Sequence, residues 1–454
     1  MTVDTIGGPA TKLLRSRNFL NFWTGQTISQ LGAQLGQLAF PVLAVSLLGA
    51  TEFQVGALNA AGMAAFLVVG LPAGAWVDRW IKRRVMIIAD LVRMVAMLLV
   101  PALWGLHLLQ IWHLYVVAAV VGVATVFFDV SYQSFVPILV PPKHVADANS
   151  KLESTSQISR VGGPALGGFL LTLISAPLLF IGESLGYLAS ALFLHRTHDE
   201  EKPHDVADRR PLAVEIKEGL AFVAGHPLLR RIVACTAGLN LFAAITITML
   251  PVLILRNLNL GAAGLGIIMS IGAVGGVLGA FCTPWIARRI GEGTLIPAAA
   301  MVSTCAVVLI PVAGLSQQKW LSLAILVFSD FMFNFSVLAY NIMQVSMRQR
   351  VCPPRLLGRM NASIRFIVFG VMPLSALISG ILGQWLGLLP TLWIGALGGF
   401  LAVAVVFFSP LRGMKKLPDT VEGAAETGAR VAGGGVVGAN AADGSGDVTG
   451  GPEQ

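Results

Sequence analysis

The stretch Gly74-Ala-Trp-Val-Asp78-Arg79-Trp-Ile-Lys82-Arg83-Arg84 joins two long apolar runs, residues 54–77 and 85–106. A hydrocarbon core about 30 Å thick takes about 20 helical residues to cross. Each run is therefore long enough to span a bilayer, and the charged interval is the hairpin loop between them. Reading outward gives twelve such segments: 19–48, 54–77, 85–106, 112–136, 155–174, 177–194, 230–254, 263–287, 295–315, 320–344, 364–386 and 390–409. Long unbroken apolar runs predict helices, because barrel strands would alternate over about 10 residues.

Composition points the same way. The 454-residue chain is 55% apolar and 12% charged, with a mean hydropathy of +0.77, whereas soluble chains carry about 25% charged residues. A soluble fold could not cover this much apolar surface, so the expected class is an all-α integral membrane protein. The net charge of +8 does not call for a nucleic-acid partner, because Lys and Arg sit in short runs between apolar segments. With the N-terminus inside, the inner segments hold 26 of the 31 Lys and Arg, and the outer loops hold only Arg256 and Lys319. Arg93, Arg160 and Arg365 fall within spans, near their inner ends. This asymmetry places both termini in the cytoplasm of a multi-pass plasma (inner) membrane protein. The first apolar stretch lacks a small-residue cleavage site, so no cleavable signal peptide is expected. The four cysteines, Cys235, Cys282, Cys305 and Cys352, lack any metal or redox spacing and read as free thiols. No metal or cofactor is expected, and no Gly-rich loop ending in Lys-Ser/Thr offers a site for ATP.

The chain reads as a cytoplasmic segment 1–18, a six-helix bundle 19–194, a cytoplasmic loop 195–229, a second bundle 230–410 and a disordered Gly/Ala-rich tail 411–454. The two bundles repeat one another. A shift of 213 brings Pro177, Ile181, Gly182 and Gly186 onto Pro390, Ile394, Gly395 and Gly399. A shift of 212 brings Ser134, Pro141, Pro142 and Asn149 onto Ser346, Pro353, Pro354 and Asn361. A shift of 210 brings Gly56, Gly62 and Arg79 onto Gly266, Gly272 and Arg289. Twelve spans as two parallel six-helix bundles is a transporter arrangement.

The 74–84 loop resembles the cytoplasmic signature of the major facilitator superfamily, G-x-x-x-D-R/K-x-G-R-R/K, with Ile81 in place of the second Gly. Other segments narrow the resemblance. They are Arg17-Asn18-Phe19 with Trp23 and Gln26, Ala89-Asp90-Leu91 with Arg93, Phe127-Phe128-Asp129, and Gly163-Pro164-Ala165-Leu166-Gly167-Gly168. Together they look like the bacterial exporter branch that contains enterobactin-type and macrolide-type efflux proteins. The resemblance implies the major facilitator fold and export of an amphipathic organic compound (drug, macrolide or siderophore class) by alternating access, in exchange for protons. It also implies a latch that closes the inner side, formed by Gly74, Asp78, Arg79, Lys82 and Arg83 with Asp90 and Arg93. Gly163, Pro164, Gly167 and Gly168 would serve close helix packing. The Arg that drug/proton antiporters often carry in the fourth helix is Ala118 here.

In this superfamily spans 1, 4, 7 and 10 line the cavity, and polar residues within spans are costly enough to mark it. Gln26, Gln30, Gln34 and Gln37 share one face of the first span, and Asn240, Phe331, Asn334 and Phe335 complete the expected substrate cavity. The same amides could instead bridge helices. Asp330 lies about 15 Å into its span at 1.5 Å per residue, and with Asp129 and Glu183 it is a candidate proton carrier. A monomer with a small-molecule substrate in a lipid bilayer is expected. A lipid or lysolipid transporter and a transport-dead sensor are the alternatives. An enzyme would need acids, His or Cys clustered at one depth, which the sequence does not offer.

Overall fold

The computed structural model describes residues 16–77, 79–141, 144–198, 221–352, 354–410 and 413–414. The segment before residue 16, residues 199–220 of the central loop, the tail beyond 414 and Asp78 lie outside the described residues. Among the described residues the regular structure is entirely helical.

The helices are α1 (Arg17–Val42), α2 (Glu52–Val68 and, past a turn at Val69, Gly70–Val77), α3 (Lys82–Gly105), α4 (Ile111–Leu139), α5 (Val145–Leu173) and α6 (Ala176–His195). Then follow α7 (Pro227–Val252), α8 (Gly261–Ile290), α9 (Glu292–Leu315), α10 (Lys319–Val351), α11 (Pro354–Leu386) and α12 (Leu388–Phe407). Local chemistry sets several starts. Ser16 accepts from the Phe19 amide, and Thr51 and Gln54 form a reciprocal capping box. Pro227, whose missing N–H costs nothing in a first turn, opens α7. The break in α2 falls at Val69, just before Gly70 and Pro72.

Ten of the described helices are long and apolar enough to cross a membrane, and Glu52–Val68 is a shorter apolar one. The remaining helix, α5, begins ten residues before the apolar run that marks it in the sequence, and its early turns carry Asp147, Lys151 and Glu153. Likewise α10 runs on to Val351 and α11 starts at Pro354. These polar turns extend helices beyond the apolar layer, where hydropathy no longer marks them.

The packing repeats. In the first half α1 packs on α5 and α6, α6 on α3, α3 on α4, and α4 on α2. Adding six to each label gives the second half: α7 on α11 and α12, α12 on α9, α9 on α10, and α10 on α8. Even the irregularities recur. Both α1 and α7 have 26 residues, hold a proline one residue from the end (Pro41, Pro251), and pass into a π-helical turn at Leu43–Leu47 and Leu253–Asn257. Left-handed residues follow at equivalent places, Gly49 (φ 62°) and Asn259 (φ 50°).

The halves meet along two seams, α2 with α11 and α5 with α8, which the same repeat interchanges. Glycines let the backbones touch. A Cβ on Gly56 would lie 2.6 Å from the Ala376 carbonyl oxygen and 2.7 Å from Gly380 Cα. A Cβ on Gly266 would lie 2.5 Å from the Pro164 carbonyl oxygen and 3.1 Å from Gly168 Cα. Both contacts sit toward the end where α1 and α7 finish, the π-turn end. The opposite end carries the Lys and Arg clusters and is called the basic end.

At the π-turn end the halves are also tied by side chains. Arg256 donates to Glu52 Oε1 at 3.0 Å and to the Ala50 carbonyl. The α2–α11 seam continues to a stacked Phe66–Phe369 pair at 6.0 Å. Beyond it, Gly70–Val77 packs chiefly on α4 of its own half. The half-exposed Arg256–Glu52 pair should contribute about 1 kcal/mol, the upper end for such pairs. Arg256→Ala should therefore raise maleimide labelling of Asn59→Cys from the π-turn side about fivefold, with the native cysteines replaced. Unchanged labelling would show that the tie does not hold this end shut.

Candidate functional site

A cavity of about 640 Å³ lies between the halves. Gln34, Gln37 and Asn59 contribute polar groups from the first half, and Asp330 and Asn334 from the second. Phe40, Leu58, Leu250, Met269 and Phe333 supply apolar wall. Arg160, midway along α5, also lines it. Its depth differs from the sequence expectation, which set Arg160 near an inner end. It stands one turn before Pro164, where α5 crosses the other half, and its side chain is exposed to the cavity.

Asp330 is held by close approach rather than by a salt bridge. Its carboxylate rests on Gly272 of α8, occupying the space that a Cβ there would need. Asn334 Nδ2 donates to the Asp330 backbone carbonyl at 2.9 Å, which places both side chains on the cavity face of α10. The neighbouring glycines bring α8 and α10 together: the backbones of Phe331 and Phe335 lie against Gly275 and Gly279. That corrects an expectation. Phe331 and Phe335 stack on each other at 6.5 Å along the α8 interface, and Phe333 presents its ring to the cavity instead.

The amide stripe of α1 also divides. Gln34 and Gln37 line the cavity, and Gly163 packs against the Gln34 side chain. Gln26 adjoins Gly25, where α6 crosses closely, and its buried amide donates to Ser190 Oγ at 3.3 Å. Gln26 is thus a helix bridge, not cavity wall. Gln30 faces a separate hollow of about 540 Å³ toward the basic end, walled by Tyr132, Asn149, Glu153 and other first-half residues. Its described lining residues all belong to the first half. Asn240 donates to the Thr236 carbonyl at 2.9 Å and lines a pocket of about 100 Å³ inside the second half. Gly167 meets Leu35 and Leu38 of α1, and Gly168 meets Gly266.

The remaining charges fall outside the cavity. Asp90 pairs with Arg93 inside the first half rather than at the loop. The Arg93 guanidinium lies between the rings of Phe128 and Tyr187, at 4.2 and 4.4 Å. Tyr187 donates to Glu183 Oε1 at 2.9 Å, and Glu183 rests on Gly36. Burial among α1, α3, α4 and α6 separates this cluster from the latch expected of it. Asp129 feels the charges of Arg93 and of Arg365, the latter on α11 of the other half. Arg83 donates to the carbonyls of Leu194, His195 and Thr197 and so caps α6, while Lys82 is buried. Arg79 is exposed, and Gly74 lies in the helical stretch Gly70–Val77.

Residues 10–425 match the family described as transmembrane secretion effector, of the major facilitator superfamily. The chain belongs to this family. Among relatives, the uncharacterized major-facilitator-type transporter YfiS of Bacillus subtilis is 27% identical over 47% of this chain, spanning about half (51%) of that protein. Macrolide efflux protein A of Streptococcus pyogenes is 21% identical, covering 87% of this chain and 95% of its own. Multidrug efflux pump Tap of Mycolicibacterium fortuitum is 24% identical, covering 80% and 90%. A bacterial homologue of the iron transporter ferroportin, solved in an inward-facing state, superposes with a TM-score of 0.68 at 15% identity, covering 86% of this chain and 98% of that one. The protein is a multi-pass major facilitator transporter with the twelve-helix fold expected from its sequence.

The packing of Asp330 on Gly272 gives a testable contrast. Gly272→Ala should cost about 1–3 kcal/mol, as overpacking does, and lower the melting temperature of the purified transporter. Gly276→Ala, whose Cβ would lie 3.5 Å from the nearest atom, Leu338 Cδ2, should stay within about 0.5 kcal/mol. Equal melting of both variants would mean that the carboxylate moves freely off Gly272.

Proposed function

We propose that this transporter exports an amphipathic organic compound of the drug, macrolide or siderophore class, in exchange for protons, from a cytoplasm that faces the basic end. Both termini then lie in the cytoplasm, in keeping with the Lys and Arg count. The observation that carries the reading is that Asp330 and Arg160 both line one largely apolar cavity between the two halves. Apolar walls suit the body of such a compound, and a few placed polar groups fix its orientation. The efflux roles named for the macrolide and multidrug relatives support the direction.

With the π-turn end closed, substrate enters between the parted halves at the basic end. Asp330 can hold either a proton or a cationic or hydrogen-bonding group of the substrate, and that competition couples the two. Reorientation breaks the Arg256–Glu52 tie and brings the basic ends together. In that state the turn between α2 and α3, with Arg79, is the latch of the basic end. Glu183 is sealed between α1 and α6, which leaves Asp129 as the second carrier candidate.

Asp330→Asn keeps the shape but cannot release a proton. In proteoliposomes it should abolish uphill, gradient-driven transport of a macrolide or a fluorescent dye while leaving substrate binding and downhill exchange within about threefold of wild type. Full uphill transport by this variant would remove Asp330 as the carrier and move the role to Asp129. Arg160→Gln should leave uphill coupling intact and weaken the binding of acidic substrates more than that of neutral ones.

A further inference from the structure

We propose that the first half carries a binding site for an anionic phospholipid of the leaflet at the basic end. The site is a groove of about 810 Å³ between α3 and α4, sharing no lining residue with the central cavity. Its floor is apolar, built from Val85, Ile88 and Val92 of α3 and from Val120 and Val123 of α4. Ile88 is 61% exposed and Val120 40%, so no other described helix covers the floor. A slot of this kind at membrane depth accepts an acyl chain.

The rim decides which lipid. Arg79 and Arg84 stand at its basic end, and both are exposed. Neither guanidinium has a hydrogen-bond or ion-pair partner among the described residues, whereas the adjacent Arg83 is engaged with three carbonyls at the C-terminal end of α6 and just beyond it. The first turn of α3 contains Lys82, Arg83 and Arg84 and no acidic residue. Its helix dipole and its side chains therefore both favour an external anion. Trp76 and Trp80 each lie 6.1 Å from the Phe127 ring, forming an aromatic wall beside the rim, and such rings settle at headgroup level. A phosphate bridging Arg79 and Arg84 with its chain along Ile88 satisfies all of these features. A zwitterionic headgroup would bring its own cation toward the two arginines.

Native mass spectrometry of the full-length transporter, titrated with dioleoyl phosphatidylglycerol or dioleoyl phosphatidylcholine, tests the site. The wild type should retain phosphatidylglycerol preferentially. Arg79→Gln/Arg84→Gln should weaken its binding about 30-fold, at about fivefold per cation, and erase the preference. Ile88→Trp, which fills the floor, should weaken both lipids while leaving the headgroup preference. Arg79→Lys/Arg84→Lys should keep the preference, and this variant with Ile88→Trp decides the matter should the Gln variant fail to fold. Equal retention of the two lipids by the wild type, or unchanged phosphatidylglycerol affinity in the folded variants, would overturn the proposal.

Discussion

Two glycine contacts hold the halves of this transporter together, Gly56 on Gly380 and Gly266 on Gly168. Each replaces side-chain packing by backbone touching backbone, which in lipid is one of the few sources of tight helix association. Because the repeat interchanges the two seams, they lie on opposite sides of the central cavity and can act as a matched pair of pivots. The position of the pivots toward the π-turn end then dictates the rest. The Arg256–Glu52 tie lies beyond them and the cavity beside them.

The duplicated halves have diverged in their interiors. By the shifts that relate the helices, Gln26, Arg93 and Phe128 of the first half correspond to Thr236, Ser303 and Tyr340 of the second. The first half fills this place with an ion pair, a guanidinium between two rings and a buried glutamate. The second half fills it with a neutral Thr236–Tyr340 hydrogen bond at 2.7 Å and a small pocket. A buried guanidinium with its partners in place resists rearrangement, since removing any one partner strands a charge. The first half is thus suited to move as a rigid body, and the cavity chemistry falls to Asp330 and Arg160 at the boundary between halves.

Much of the fold was legible in the sequence because lipid imposes a continuous apolar requirement that soluble cores do not. The twelve spans follow from it, and the repeat follows from the shifted Pro, Gly, Ser and Asn identities. The helical extensions at the basic end were not legible, since Asp147 to Glu153 look like loop to any hydropathy argument. The cavity was legible in part. Asp330, Asn334, Gln34 and Gln37 fell where polar residues on expected cavity helices should fall. Gln26 has the same chemistry and nearly the same face, but the crossing of α6 at Gly25 turns it inward, and only tertiary packing records that. Arg160 was misplaced because its depth was judged from an apolar window that started too late. Its signal was present as a lone cation one turn before the Gly163-Pro164 pair. The choice of Phe333 over Phe331 depends on the α8 glycines and could not be read from α10 alone.

The central claim is that the glycine seams set which end of the transporter is closed. The most direct measurement is the distance across the π-turn end by double electron–electron resonance. Labels at Leu108→Cys and Trp320→Cys, both well exposed at 59% and 69%, would be read with the four native cysteines replaced. The Gly56→Ala/Gly266→Ala variant forces both seams apart at the pivots, so its distance distribution should shift to longer values than in the parent. An unchanged distribution in the folded variant would show that the seams are not the pivots and would contradict the account.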